Sequence, residues 1–96
     1  MITQERLKQL YRYEPDTGRF IRIYSKQRPD TIGRIAGAPH GNGYLEITID
    51  GRTYYAHRLA WLYMTGAWPK GQIDHKNCIR YDNKWENLRD CTPALN

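Results

Sequence analysis

The segment from Ile73 to Asn96 holds the residue types best suited to chemistry. It begins with an acid beside a histidine, Asp74 and His75, and it ends on an amide. A carboxylate can ligate Mg²⁺, a cation that prefers oxygen ligands and keeps several waters. An imidazole with a pKa of about 6.5 can accept a proton near neutral pH. Together the two groups could activate a water and stabilise a departing oxyanion, which phosphodiester hydrolysis requires.

The setting of Asp74 and His75 decides whether they serve one site. Adjacent side chains on a strand point to opposite faces, so we expect the pair at a strand end, where this alternation relaxes. The run 82–89 is rich in side chains that hold loops by bonding to the backbone. The dipeptide Thr92-Pro93 then predicts a helix start. The last residue of the chain would lie one turn into that helix.

The N-terminal half predicts a helix, a turn and a strand. A short helix is predicted from its cap, Thr3, to about Tyr13, because apolar residues recur on one helical face. The run 14–18 contains Pro and Gly and predicts a turn, which is followed by a strand at 19–24. The basic run 25–43 is broken by Gly and Pro, and is either a solvated loop or an arm that lies on a DNA backbone.

The middle of the chain gives the clearest pattern. Apolar and polar residues alternate in 44–56 around an Asp-Gly dipeptide, which predicts a hairpin with a type I′ turn. A helix follows from His57 to Gly66, with Met64 on its buried face. His57 would cap or pack at the helix start, or contact a phosphate.

A Trp-Pro pair at 68–69 then predicts an extended passage into a short strand at 72–74. The predicted fold class is α+β: a small antiparallel sheet with a central helix, leading into the Asp-His segment.

The charge balance favours a polyanionic partner. The 96 residues form one small domain by length, with 15 Lys and Arg against 10 Asp and Glu. The net charge is +5, the pI is about 9.4 and the mean hydropathy is −0.84. Such an excess is typical of nucleic-acid binding, although a merely soluble basic surface would look the same.

Several protein classes are disfavoured. Cys78 and Cys91 form no Cys-x-x-Cys pair, which argues against a disulfide framework or a ribbon-type zinc site. The N-terminus lacks the charged-then-apolar order of a signal peptide. No apolar run approaches the ~20 residues of a membrane span. We therefore expect a soluble, cytoplasmic protein with no membrane partner.

The spaced elements of the C-terminal segment resemble the HNH endonuclease motif. They are Asp74-His75, Asp82-Asn83-x-Trp85-x-Asn87-Leu88-Arg89, and Thr92 with Asn96. The upstream chain is similar to the lead-in of small phage and homing-type HNH nucleases, at Gly43-Tyr44, Asp50-Gly51-Arg52, Ala56-His57-Arg58-Leu59-Ala60-Trp61 and Gly66. The resemblance implies a single domain at 1–96, with a scaffold and DNA-contacting lead-in at 1–70 and a ββα-metal finger at 71–96.

The resemblance implies a phage- or mobile-element-encoded DNA endonuclease that hydrolyses phosphodiester bonds. His75 would be the general base, and Asn87 would brace the loop and orient His75. Asp74 and Asn96 would ligate one Mg²⁺ or Mn²⁺ that stabilises the leaving 3′ oxygen. The products would carry 5′-phosphate and 3′-hydroxyl ends. The four-cysteine zinc site of many HNH proteins is missing from the sequence, so no structural zinc is expected.

Four cations are candidate DNA contacts: Arg58, Lys76, Arg80 and Arg89. Arg58 could instead pair with an acid. Arg89 could be a transition-state clamp or the partner of Glu86 or Asp90.

Two other functions remain open from the sequence. The first is a non-catalytic DNA-binding module that keeps the HNH finger. The second is a zinc-stabilised scaffold in which His75, Cys78 and Cys91 supply ligands, although a fourth ligand is not obvious.

Overall fold

The computed structural model describes residues 1–90 and places two α-helices and eight strands there. The helices are α1 (Gln4–Leu10) and α2 (Ala56–Thr65). The strands are β1 (Tyr11–Glu14), β2 (Arg19–Arg22), β3 (Ile35–Ala36), β4 (Ala38–Pro39), β5 (Leu45–Ile49), β6 (Arg52–Tyr55), β7 (Ile73–His75) and β8 (Leu88–Asp90). The α+β class is confirmed. The strands form three small antiparallel sheets, β1-β2-β3, β4-β5-β6 and β7-β8, so the expectation of a single sheet is wrong.

Helix α1 begins as predicted and ends earlier. The Oγ1 atom of Thr3 accepts the backbone N–H of Arg6 at 3.1 Å and so caps the helix. The helix ends at Leu10 instead of near Tyr13, because the next four residues continue as β1 and pair with β2. Pairing across the turn therefore overrides the local helical pattern.

The predicted central hairpin is confirmed as β5 and β6. Its turn residues, Asp50 and Gly51, have φ angles of 52° and 80°, as a type I′ turn requires. The run 25–43 is not loop throughout, because β3 pairs with β2 and β4 pairs with β5. Two-residue strands are too short to show a period of two in the sequence.

Helix α2 packs on β5, β6 and α1 and carries the centre of the core. Leu59 and Ala60 are completely buried in it. Gly66 ends the helix as predicted, with its N–H on the Leu62 carbonyl oxygen at 2.9 Å. Met64 is 39% exposed, so its predicted place on the buried face is wrong. It lies beyond the stripe of buried side chains.

The C-terminal segment contributes the β7-β8 hairpin. β7 begins one residue later than predicted and pairs with β8, with Ile73 opposite Asp90 and His75 opposite Leu88. The helix predicted from Thr92-Pro93, and with it the complete ββα arrangement, lies outside the described residues. In residues 1–90 the structure contains no helix with the length and apolar character of a membrane span.

Candidate active site

Asp74 and His75 line one cavity of about 230 Å³ beside the end of β7. His75 is 5% exposed, whereas the Asp74 side chain is 41% exposed, so burial alternates along the strand as expected. The cavity is nevertheless common to both side chains. It is also lined by Tyr44, Ile73, Cys78 and Arg80.

The His75 imidazole is held by Asn83. Its Nε2 atom lies 2.9 Å from the Asn83 Oδ1 atom, in the interior of the protein. An amide oxygen can only accept, so Nε2 carries the hydrogen and Nδ1 is left with a free lone pair. The Asn83 Nδ2 atom is buried and has no hydrogen-bond partner within residues 1–90. Asn83 therefore fixes both the orientation and the tautomer of His75.

Asn83 is itself held from the N-terminal hairpin. The Tyr13 hydroxyl donates a hydrogen bond to the Asn83 carbonyl oxygen, and both groups are buried. The backbone N–H of Trp85 donates to the Pro15 carbonyl oxygen at 3.0 Å. Gly18 packs directly against the backbone of Asn83 and Lys84. The β1-β2 turn thus supports the residue that positions the histidine.

Asn87 braces the loop between β7 and β8. Its side-chain nitrogen donates to the Asp82 carbonyl oxygen at 2.8 Å and to Asn77 Oδ1 at 3.0 Å. Its side-chain oxygen accepts the backbone N–H of Asn77 at 3.0 Å. The HNH resemblance assigns the orientation of His75 to Asn87, but in the structure Asn83 makes the hydrogen bond to the imidazole. Asn83 belongs to the motif that resembles HNH endonucleases. Its contact with His75 depends on the burial of both side chains, which the motif alone does not show.

We expect the substitution Asn83→Ala to lower the rate of any reaction that uses His75 as a base by about 10- to 100-fold, the range for partners that orient a functional histidine. The imidazole would lose its fixed tautomer. Asn83→Asp keeps an oxygen acceptor, so its reaction rate should fall much less. Rates of DNA cleavage, with thermal melting to check folding, would measure this. Equal losses in the two variants would show that the acceptor is unimportant.

An aromatic wall of Tyr44, Tyr55 and His57 closes the other side of His75. The ring centroids of His57 and His75 are 5.1 Å apart, and that of Tyr44 lies 4.9 Å from His57. Tyr55 stacks on His57 at 5.4 Å. Burial, followed by the neighbouring His75 and Arg58, lowers the pKa of His57 from 6.5 to about 4. His57 therefore packs against His75 as a neutral ring at neutral pH.

The lowered pKa of His57 predicts a pH-dependent stability. The unfolded chain takes up a proton on this histidine below about pH 6.5, whereas the folded protein takes it up only near pH 4. The contribution of His57 to the free energy of unfolding is therefore complete above pH 6.5. It is lost as the pH falls towards 4, by about 3 kcal/mol in total. Urea unfolding measures the free energy of unfolding at pH 7 and at pH 5. This free energy should fall more between the two pH values for the wild-type protein than for His57→Phe. An equal fall in both proteins would contradict the buried, neutral state of His57.

A comparison with known protein families finds a match in the C-terminal part of the chain. Residues 54–96, a little under half of the chain, match the family model described as HNH endonuclease. Over this segment the chain is similar to HNH endonucleases. The match indicates a nuclease that acts on DNA, and it covers α2, both strands of the β7-β8 hairpin and the His75 site. No curated protein and no solved structure matches the chain.

The four candidate DNA-contacting cations make different contacts near the Asp74–His75 cavity. Arg80 lines the His75 cavity, donates to the Asn42 carbonyl oxygen at 2.8 Å and lies over the Tyr44 ring. Arg58 donates to the Gly71 carbonyl oxygen at 3.0 Å. Lys76 is exposed at the start of the loop.

Arg89 forms an ion pair with Asp74 across the β7-β8 ladder. Both side chains are partly exposed, at 58% and 41%. The sequence predicts Glu86 or Asp90 as partners of Arg89, whereas the pair with Asp74 depends on the strand register, which the sequence does not show. The Arg89 guanidinium therefore lies against the carboxylate that the HNH resemblance assigns to the metal.

The oxygen donor of Asp74 suits a hard cation. No group of three or more His, Cys, Asp or Glu that could hold a metal occurs among residues 1–90, and Asn96, the second predicted ligand, falls outside them. Mg²⁺, however, is commonly bound by one or two carboxylates, waters and substrate phosphates, without an all-protein cage. Asp74 in an open cavity fits that mode. Cys78 is exposed and lines the same cavity, and Cys91 lies outside the described residues.

Proposed function

We propose that this protein is a metal-dependent DNA endonuclease that hydrolyses phosphodiester bonds. The observation that carries the proposal is the Asn83-held His75, which shares a cavity with Asp74 inside a segment that matches the HNH endonuclease family. The net charge of +5 is compatible with a DNA substrate.

His75 acts as the general base in this proposal. Its Nε2–H is directed at Asn83, so the Nδ1 lone pair accepts the proton of the attacking water. Tyr44 and His57 pack around the imidazole and restrict its motion. Asn87 keeps the following loop in place, so that the backbone after His75 does not shift during the reaction.

Asp74 and Asn96 would hold the divalent cation, Mg²⁺ or Mn²⁺. When bound, such a cation supplies Lewis-acid stabilisation of the leaving 3′ oxygen. Arg89 pairs with Asp74 in the described structure, so cation binding requires this guanidinium to share the carboxylate or to turn towards the DNA. A guanidinium released in this way is suited to a phosphate, which it can bind through two N–H donors. Arg58, Lys76 and Arg80 contact the DNA backbone in the same proposal.

Removal of divalent cations should abolish cleavage. Protein treated with EDTA should leave supercoiled plasmid intact, and Mg²⁺ or Mn²⁺ should restore nicked or linear product, whereas Zn²⁺ alone should not. The measurement is agarose-gel electrophoresis of plasmid over time. Asp74→Ala should require more Mg²⁺ or remain inactive at any concentration. Undiminished cutting in EDTA would refute the metal dependence.

A non-catalytic DNA-binding module is the second candidate. It is favoured by one observation, the ion pair that occupies Asp74. This candidate predicts DNA binding that weakens with salt but does not respond to metal or to Asp74→Ala. Assays of binding and of cutting on the same plasmid preparation distinguish this candidate from the endonuclease.

We propose further that 1–96 act as one domain, with 1–70 as scaffold and 71–96 as the metal finger, in a host cell that carries a phage or mobile element. One such site cuts one strand at a time, so a double-strand break would need two copies or two events.

A further inference from the structure

A second cavity adjoins the one that contains His75. Its volume is about 240 Å³, and it shares Tyr44 and Ile73 with the first cavity. The remaining lining residues are Tyr55, His57, Arg58 and Gln72. Because the rings of His57 and His75 are 5.1 Å apart, the two cavities are neighbours along one surface.

Helix α2 begins in this second cavity. The first backbone N–H groups of a helix have no partner inside the helix, and they form its positive end. The N-cap residue, Tyr55, makes no side-chain cap, and the first turn of α2 contains no acidic residue. The N-terminus of α2 is therefore left without the usual side-chain acceptor at the cavity.

His57 is a second, independent sign of a ligand. It is 6% exposed, it lines the cavity, and its Nδ1 atom is buried without a hydrogen-bond partner among the described residues. An unpartnered buried polar atom is costly, so it calls for an explanation such as an absent ligand. Of the residues that line this cavity, His57 is the one with such an atom among residues 1–90.

The charged and polar groups around the cavity are mainly donors. Arg58 lines the cavity and uses one of its five N–H donors on the Gly71 carbonyl oxygen. Gln72 also lines the cavity. No carboxylate lines this cavity in the part of the chain that the structure describes. A helix N-terminus with a guanidinium is suited to a phosphate group.

We propose that this cavity, at the N-terminus of α2, binds the phosphate that neighbours the scissile phosphate on the cleaved DNA strand. The proposal rests on the proposed endonuclease function. It commits to a backbone phosphate instead of a free anion because the cavity shares Tyr44 and Ile73 with the one that holds His75.

The test neutralises single phosphates of the substrate. Duplex oligonucleotides carry one methylphosphonate on either side of the mapped cleavage bond, or further away. For the wild-type protein, the neutral group at one neighbouring position should lower the cleavage rate about tenfold. In Arg58→Gln the same replacement should have little further effect, because the contact is already lost. Arg52→Gln, an exposed arginine at the far end of β6, should keep the full wild-type loss.

Four outcomes would overturn this inference. Equal losses in wild-type and Arg58→Gln protein at every position would exclude the subsite. Inorganic phosphate that binds at Arg58, without a position-dependent effect in DNA, would identify a free-anion site instead. If the protein binds DNA without cutting it, the proposed function has failed and this inference fails with it, because no scissile phosphate exists. If it binds no DNA, both proposals are wrong.

Discussion

His75→Ala should lower the rate of DNA cleavage by about 10²- to 10⁴-fold, the usual contribution of a positioned acid or base. The reason is that His75 is the buried imidazole whose Nε2–H is directed at Asn83, so that its Nδ1 atom carries the lone pair that accepts the proton. The rate should be measured in single-turnover experiments with saturating Mg²⁺, so that changes in DNA affinity do not mask the chemical step.

His75→Gln is the matched variant. A glutamine amide can still donate to the Asn83 oxygen, but it cannot take up a proton near neutral pH. We therefore expect the same loss of rate as in His75→Ala, with smaller effects on thermal melting. If His75→Gln kept most of the wild-type rate, the histidine would be a structural residue and the base would have to lie elsewhere.

Gly18→Ala should destabilise the protein by about 3 kcal/mol and lower cleavage as well. Gly18 has a φ angle of 78°, a conformation that alanine adopts only with strain. A Cβ atom there would lie 2.8 Å from the Asn83 carbonyl oxygen, and closer still to the Asn83 carbonyl carbon and the Lys84 nitrogen. The clash is with backbone, so it cannot be relieved by turning a side chain. Chemical unfolding would measure the stability.

Gly33→Ala separates backbone strain from the clash. Gly33 has a φ angle of 90°, but a Cβ atom there would meet nothing within 4 Å. We expect a loss of about 1 kcal/mol from strain alone, with cleavage unchanged. A similar loss of stability in both variants would mean that the β1-β2 turn does not press on Asn83, and the proposed support of the active site would be wrong.

Local chemical signals predicted much of the fold. The Thr3 cap, the type I′ turn at Asp50 and the glycine that ends α2 each depend on a few neighbouring residues, and each is confirmed. The short strand that carries Asp74 and His75 was also predicted, with its start one residue too early. Such features depend on contacts within one turn or one hairpin, which the sequence shows directly.

Long-range contacts account for the features that the sequence did not predict. The hydrogen bond from Tyr13 to Asn83 joins residues 70 positions apart, and no local pattern specifies it. The role of Asn83 therefore became visible only when the β1-β2 hairpin was placed beside the β7-β8 loop. The Asp74–Arg89 pair depends on strand register in the same way. The family match begins at residue 54, yet the supporting turn precedes it.

The ends produced by cleavage test the central claim most directly. Supercoiled plasmid is treated with wild-type protein and Mg²⁺, and the nicked product is then offered to DNA ligase. Base catalysis by His75 with departure of the 3′ oxygen predicts nicks with 5′-phosphate and 3′-hydroxyl ends, which ligase seals, and no nicks from His75→Ala. Equal nicking by both proteins, or no nicking by well-folded wild-type protein in Mg²⁺ or Mn²⁺, would contradict it.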